Sequence, residues 1–170
     1  AIHGDEGDTT VVLSNALRLL EQKGKVQKAL GRCAIILCAN PDGKLLGTRA
    51  NAIGVDLNRN FPAANWKKGK VKSRATLEEP RVLEHLSGKT FDGQVDSEPE
   101  VGYLISLIKE LNPKEILSLH SPLTCVDDPD QTFLGAFLSE SMDLERVTDI
   151  GYPTPGSMGS WCAEQNIPIV

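Results

Sequence analysis

Apolar residues recur at helical spacing in two parts of the chain. Over 9–22 they fall on one face of a helix with a period of about 3.6 residues, and Gly24 follows as a stop signal. The segment 97–111, "SEPEVGYLISLIKEL", has the same period. Ser97 is its candidate N-cap and Glu100 follows three residues later, which is the pattern of a capping box. The sequence therefore predicts one helix in each segment.

Three other stretches are apolar-rich runs of strand length. They are "CAIILCA" (33–39), "KEILSLH" (114–120) and "IPIV" (167–170). Unbroken apolar runs are typical of strands buried on both faces of a sheet. A further short helix is predicted at 157–166, so strands and helices alternate. The pattern predicts an α/β fold with a mostly parallel mixed sheet flanked by helices. Such sheets collect functional groups at the carboxyl ends of their strands, where His120 lies.

Length, charge and cysteine content narrow the classes of protein. The chain has 170 residues, enough for one domain with a sizeable core, and we expect a single domain over 1–170. Its net charge of -5 argues against a nucleic-acid or anionic-membrane partner, because both need a basic face. No run approaches the roughly 18 apolar residues of a membrane span. The four cysteines match no CxxC pattern and favour thiols in a reducing compartment. The sequence does not indicate an oligomeric state.

Two of the three histidines suggest a metal site. His3 and Glu6 form an H-x-x-E turn, and His120 is the obvious third ligand. Zinc in hydrolases takes three such ligands and keeps one position open for water. The alternative is a solvated turn at 3–6 and a His120 that is hydrogen-bonded in the core, because H-x-x-E often occurs by chance. His85 has no predicted role beyond that of a surface histidine.

A polar segment in the middle of the chain suggests a binding site. "GTRANAIGVDLNRNFP" places Arg49, Asp56, Asn58 and Arg59 close together in sequence. Guanidinium groups beside asparagine side chains make a receptor for a carboxylate, since arginine binds it with two parallel hydrogen bonds. Asp56 could accept the second ring N–H of a zinc-bound histidine. The alternative is a polar surface loop. However, the stretch 40–96 is too long for a structureless loop in a compact domain unless it is functional.

The order and wide separation of these motifs resemble the zinc carboxypeptidases. The H-x-x-E turn, "GVDLNRNFP" and "LSLHSP" follow the family's order, and the resemblance covers essentially the whole chain. "NPDG" and "GYPTPGSMGSWCAEQN" resemble a bacterial subgroup that acts on murein peptides. The resemblance implies one Zn²⁺ per chain. It implies that His3, Glu6 and His120 ligate the zinc and that Asp56 orients the first of these histidines. It implies that Arg49 polarises the scissile carbonyl, that Asn58 and Arg59 bind the terminal carboxylate, and that Tyr152 covers the substrate. It also implies a cis peptide bond between Ser121 and Pro122.

The same resemblance implies a reaction and a compartment. It implies hydrolysis of the γ-D-glutamyl–meso-diaminopimelate amide of a murein tripeptide, during peptidoglycan recycling in the bacterial cytoplasm. Asp5 stands where peptide-cleaving members of the family have an arginine. The family's catalytic glutamate is expected just beyond Val170, and the strand that delivers His3 is expected before Ala1. The resemblance thus implies that residues 1–170 are an incomplete catalytic domain, truncated at both ends.

Two other functions stay open at this point. One is a general metallocarboxypeptidase, or a deacylase of small acyl-amino acids, on the same scaffold. The other is a non-catalytic module that binds zinc and a carboxylate but has no general base. A carboxypeptidase or deacylase would differ from the murein enzyme in the amide bond that it prefers to cleave. A non-catalytic module would differ from it in showing no catalytic turnover.

Overall fold

The computed structural model describes residues 1–31, 33–74, 82–86, 89–91, 94–96 and 98–170. Among these residues, helices come first, four short strands follow, and helices and strands alternate only in the last part of the chain. The helices are α1 (Gly7–Gln22), α2 (Val26–Leu30), α3 (Pro41–Leu46), a 3-10 turn (Leu57–Arg59), α4 (Pro99–Leu111), α5 (Phe133–Met142) and α6 (Met158–Glu164). The strands are β1 (Lys70–Arg74), β2 (Val82–Leu86), β3 (Lys89–Phe91), β4 (Gln94–Asp96), β5 (Cys125–Asp127) and β6 (Glu145–Val147).

Strand pairing is both parallel and antiparallel. β5 pairs with β6 in parallel, whereas β1 with β2 and β3 with β4 form antiparallel pairs. The predicted strands 114–120 and 167–170 are not full strands in the structure, but they run side by side in parallel through an isolated bridge between Ile116 and Ile169. The Ser118 amide donates to the Val170 carbonyl at 2.7 Å in the same ladder. The α/β fold predicted from the sequence is confirmed.

Two details of the predicted elements are wrong. The run 33–39 is irregular rather than a strand. None of its residues is buried, so the interpretation as a strand buried on both faces does not hold. The Ala39 amide donates to the Ala1 carbonyl at 2.8 Å, and the Ala1 amino group donates to the Leu37 carbonyl at 2.9 Å. The helix predicted over 97–111 begins at Pro99 with Glu98 as its N-cap, which makes no side-chain capping bond. Ser97 lies outside the described residues. Proline is favoured in the first helical turn because it lacks the N–H that would stay unpaired there.

The predicted helix over 9–22 and the short helix at 157–166 are confirmed. α1 begins two residues earlier than predicted, at Gly7, and ends at Gln22. α6 occupies Met158–Glu164 within the second segment. Among the described residues, no helix has the length and apolar character needed to cross a bilayer.

One hydrophobic core joins the segments that carry the polar motifs. The buried face of α4 consists of Val101, Leu104 and Ile108, at helical spacing. This face packs with the residues that flank the 3-10 turn and with α6. Phe61 and Trp161 lie in the same cluster with ring centroids 6.1 Å apart. The core therefore fixes the polar 3-10 turn against the start of α6, and both elements reach the functional site from there.

All four cysteines are thiols in the structure, as predicted. Cys162 is fully buried in the core, whereas Cys33 is exposed. Burial raises the pKa of the Cys162 thiol to about 12. Since the thiolate is the reactive form, Cys162 should resist alkylation at pH 8, where it stays neutral.

We therefore expect iodoacetamide to label Cys33 but not Cys162 in the folded protein at pH 8. Peptide mass spectrometry after a timed quench measures both sites. In denaturant the two thiols should react at similar rates, because burial is the cause of the difference. Equal labelling in the folded protein would show that Cys162 is not held in a closed core.

Candidate metal and carboxylate site

His3, Glu6 and His120 meet at one point although the chain separates them widely. His3 Nδ1 lies 2.7 Å from Glu6 Oε1, and His120 Nδ1 lies 2.9 Å from Glu6 Oε2. The two Nδ1 atoms are 3.2 Å apart. Ligand atoms of all three side chains lie within 4.8 Å of one another. The structure thus brings together the three side chains predicted as zinc ligands.

The outer ring nitrogen of each histidine faces an oxygen. His3 Nε2 lies 3.5 Å from Asp56 Oδ1, and His120 Nε2 lies 3.1 Å from the Ser118 hydroxyl. His3 Nε2 is buried and has no closer partner among the described residues. Partners of this kind select the tautomer whose other nitrogen is free to ligate a metal. Two imidazoles and one carboxylate are the donor set of catalytic zinc sites, so the residues fit zinc.

Backbone contacts hold the H-x-x-E turn in place. Glu6 is the N-cap of α1, and its amide donates to the His3 carbonyl at 3.3 Å. Gly4 lies directly against the backbone of Gly43, and a Cβ on Gly4 would overlap it. The buried side-chain amide of Asn40 donates to the Ile2 and Arg49 carbonyls, at 3.2 Å each. Asn40 is thus a positioning residue whose role the sequence did not indicate.

His120 is held from both sides of its loop. The Ser118 amide bonds to Val170, as described for the parallel ladder. The Ser121 hydroxyl donates to Asp8 Oδ1 on α1 at 3.0 Å. The Ser121–Pro122 peptide bond is cis, as predicted. The His120 side chain keeps 33% of its surface exposed, against 4% for His3, so the cluster opens to solvent on the His120 side.

The electrostatics of the cluster keep its carboxylates charged. Burial alone would raise the pKa of Glu6, but hydrogen bonds from His120 and His3 outweigh it and lower the pKa to about 2. Burial likewise opposes ionisation of Asp56, yet His3 and Arg49 hold the pKa of Asp56 below its usual range. Burial would lower the pKa of His3, but hydrogen bonds to Asp56 and Glu6 raise it. A cation therefore meets ionised carboxylates at neutral pH.

Asp56 connects the metal cluster to the arginine segment. It is fully buried, and Arg49 Nε donates to its Oδ2 at 2.6 Å. Its Oδ1 accepts a hydrogen bond from the backbone amide of Asn58 at 3.0 Å, and this bond caps the 3-10 turn. Arg49 Nη1 also lies 3.6 Å from Glu6 Oε1. One aspartate thus orients His3, Arg49 and the turn that carries Asn58.

Asn58 and Arg59, the residues predicted to bind a carboxylate, lie side by side next to Asp56. The Met158 amide donates to Asn58 Oδ1 at 2.8 Å, so the Asn58 NH₂ group is left to donate elsewhere. Arg59 Nη1 donates to the Asn58 carbonyl at 2.7 Å. Burial lowers the pKa of Arg59, but arginine side chains are not deprotonated in proteins. Tyr152 is half-exposed, and its phenol is near enough to act electrostatically on Arg59.

Asp5, which departs from the family pattern, and His85, which has no predicted role in the site, differ in what the structure describes of them. Asp5 lies in the H-x-x-E turn, where burial raises its pKa. Its Oδ1 has no hydrogen-bond partner in the part of the chain that the structure describes. His85 belongs to β2, which pairs with β1, and the prediction for its side chain lies outside what the structure describes.

The convergent His–Glu–His cluster, with Arg49 and Arg59 on either side of Asp56 in sequence, is typical of the zinc carboxypeptidase class. Residues 1–127 match the family model described as zinc carboxypeptidase, and the chain belongs to this family. The family resemblance predicted from the sequence is confirmed.

Individual relatives are similar along nearly the whole chain. Murein peptide amidase A of Escherichia coli is 47% identical over 169 residues, covering 99% of this chain and 66% of the relative. Murein peptide amidase A of Vibrio campbellii is 42% identical over 168 residues, covering 99% and 64%. The crystal structure of murein-tripeptide amidase MpaA from Escherichia coli O157 matches with a TM-score of 0.83 and 43% identity, covering 99% of this chain and 68% of that one. The chain thus spans about two thirds of the length of these relatives.

Proposed function

We propose that the protein is a zinc-dependent amidohydrolase that cleaves the γ-D-glutamyl–meso-diaminopimelate amide of murein tripeptides. The observation that carries the proposal is the His3–Glu6–His120 cluster next to the Asn58–Arg59 pair. This arrangement occurs in a chain 47% identical to a murein peptide amidase. The substrate is a small peptide with a terminal carboxylate, which the paired donors of the site would bind.

One zinc ion would be held by His3, Glu6 and His120. When bound, zinc lowers the pKa of its water towards about 7 and polarises an amide carbonyl. Asp56 and Ser118 would keep the two imidazoles in the ligating tautomer through their outer nitrogens. The low pKa of Glu6 means that this ligand is ionised at every pH near neutrality.

The arginine segment would supply substrate binding and charge stabilisation. Arg49 reaches the edge of the metal cluster, 3.6 Å from Glu6, and would stabilise negative charge that develops on the carbonyl oxygen. Asn58 and Arg59 would bind the terminal carboxylate with N–H donors. Tyr152, half-exposed near Arg59, would cover the bound substrate. The proton acceptor of the reaction is still expected to be a glutamate that follows Val170 in sequence.

The bacterial cytoplasm is the compartment that we propose for this reaction. Peptidoglycan recycling delivers released murein peptides there, and thiols persist in its reducing conditions. The four unbridged cysteines support the proposal. Recovery of the protein in the soluble cytoplasmic fraction of fractionated cells would test it, and recovery in a periplasmic fraction would contradict it.

The first test of the function is hydrolysis of L-Ala-γ-D-Glu-meso-diaminopimelate. In protein that includes the glutamate proposed to follow Val170, we expect release of diaminopimelate, detected by mass spectrometry, that stops when a chelator removes the metal. An α-linked L-peptide of the same length is the control substrate. Faster cleavage of the α-linked peptide would indicate an ordinary metallocarboxypeptidase. Stoichiometric zinc binding without hydrolysis of either peptide would indicate a binding module.

Arg59→Lys should weaken substrate binding more than turnover. One ammonium cannot reproduce the planar fork of a guanidinium on a carboxylate. Loss of one charge-assisted hydrogen bond predicts a rise in KM of about tenfold or more, with kcat little changed. Steady-state kinetics on the murein tripeptide measures both constants. A fall in kcat at unchanged KM would instead assign Arg59 to transition-state stabilisation.

A further inference from the structure

Two segments far apart in sequence are joined beside the carboxylate receptor. The Phe61 amide donates to the Gly156 carbonyl at 2.9 Å, and the Ala64 amide donates to Glu164 Oε1 at 2.6 Å. The segment 58–65 carries the predicted receptor, and the segment 152–164 carries the predicted capping tyrosine and α6. The contacts between these segments therefore set the shape of the substrate site.

The Asn65 side chain bonds to the second segment through both its carbonyl oxygen and its NH₂ group. Its Oδ1 accepts the Gly156 amide at 3.0 Å, and its Nδ2 donates to the Ser160 hydroxyl at 2.9 Å. Ser160 also bonds to Ser157, the N-cap of α6, because the Ser160 amide donates to the Ser157 hydroxyl at 3.0 Å. Asn65 thus holds the turn before α6 and the first turn of α6 together. Its side chain is exposed, so nothing suggests that it stabilises the core.

The turn that Asn65 holds is packed tightly against the receptor. Gly156 has a φ of +69°, and a Cβ at this position would lie 2.9 Å from the Arg59 carbonyl oxygen. Met158 follows two residues later, and its amide fixes the Asn58 side chain through Oδ1. An amide side chain that accepts at its oxygen must present its NH₂ group on the other side. If the turn were displaced, the Met158 amide would no longer hold the Asn58 side chain in this orientation.

We infer that Asn65 is a positioning residue for recognition of the substrate carboxylate. It holds Gly156 and Ser160 so that the Met158 amide keeps the NH₂ group of Asn58 directed towards the carboxylate. This inference rests on the proposed function of the site. The side-chain hydrogen bonds of Asn65 go to Gly156 and Ser160 rather than to the metal cluster, so Asn65 should affect ligand binding and leave zinc binding unchanged.

The test compares Asn65→Ala with a conservative variant and two controls. Asn65→Gln keeps both the acceptor and the donor on a longer, exposed side chain. Asn15→Ala removes an exposed asparagine from α1 and controls for the loss of a surface amide. Glu164→Ala removes a different hydrogen bond between the same two segments. Zinc content and thermal unfolding of each variant verify that the fold and metal site are intact.

Calorimetric titration of the zinc-loaded proteins with meso-diaminopimelate measures recognition without requiring turnover, and kinetics on the murein tripeptide give KM and kcat. Loss of the two hydrogen bonds of Asn65 should raise the Kd and KM of Asn65→Ala about tenfold while kcat changes little. Asn65→Gln should recover most of this loss, and Asn15→Ala should match the unmodified protein.

Three results would overturn the inference. Unchanged Kd and KM in Asn65→Ala would show that the turn is held without Asn65. An equal loss in Glu164→Ala would mean that general attachment of the segments matters rather than the contacts of Asn65. If the unmodified zinc-loaded protein neither binds diaminopimelate nor hydrolyses the tripeptide, the proposed function itself is wrong and this inference falls with it.

Discussion

His120→Ala should abolish tight zinc binding. The variant leaves His3 and Glu6, and two protein ligands are too few for the sites in which zinc is held firmly. Loss of a partner outside the ligand shell costs roughly 10- to 100-fold in metal affinity, and loss of a ligand should cost more. Competition with a chromogenic chelator measures the affinity, and metal analysis after dialysis measures the stoichiometry.

A thermal shift gives a second measure of the same loss. A metal that binds only the folded state raises the melting temperature in proportion to RT ln(1 + [L]/Kd), so zinc should stabilise the unmodified protein and not His120→Ala. His85→Ala is the matched control, because it removes the third histidine of the chain, which has no role in the proposed site. Retention of one tightly bound zinc by His120→Ala would refute the assignment of this ligand.

Asp56→Ala should destabilise the fold and weaken zinc binding together. Asp56 is fully buried and accepts hydrogen bonds from Arg49 and from the Asn58 amide. Removal of one partner of a buried ion pair leaves the other without compensation and costs about 3–5 kcal/mol. The Arg49 side chain keeps 18% of its surface exposed, which places the expected cost at the low end, about 3 kcal/mol. Urea unfolding of the metal-free protein measures it.

Asp56→Asn separates the charge from the hydrogen bonds and gives a test against pH. The amide oxygen can still accept the Asn58 amide, but the negative charge facing Arg49 and His3 is lost. Because the pKa of Asp56 is held below its ordinary value of 3.8, its charge stabilises the folded state above about pH 4. The advantage of the unmodified protein over Asp56→Asn should be complete at pH 7 and shrink as the pH falls below 4. A constant difference down to pH 2 would show that the charge of Asp56 does not act this way.

The sequence predicted the features that a periodic spacing of apolar residues or an ordered set of motifs indicates. The helical spacing of apolar residues located α1 and α4, and the motif order located the three side chains that converge on one point. The run 33–39 misled because apolar composition alone specifies neither burial nor strand pairing. The segment is irregular and none of its residues is buried.

The polar residues that position the site could not be found in the sequence. Asn40, Asn65 and Ser118 each act through one or two hydrogen bonds to atoms that are distant in the chain, or to a histidine whose place the fold decides. A single polar residue has no periodicity, and its role depends on which backbone groups the fold brings near. Their functions are therefore visible only after the segments that they join have been placed.

The contact of Gly4 with Gly43 has a consequence for redesign of the metal site. Backbone meets backbone there, so this contact, which supports the turn of His3 and Glu6, contains no side chain to exchange. Repacking cannot shift these two ligands by small steps, and any larger residue at position 4 must move the whole turn. The partly exposed His120, on a loop fastened by serine hydroxyls, is the ligand whose position substitution can adjust. An engineer who wishes to admit a different metal or a bulkier substrate should therefore keep His120, vary Ser118, Leu119 and Ser121 around it, and leave 3–6 unchanged.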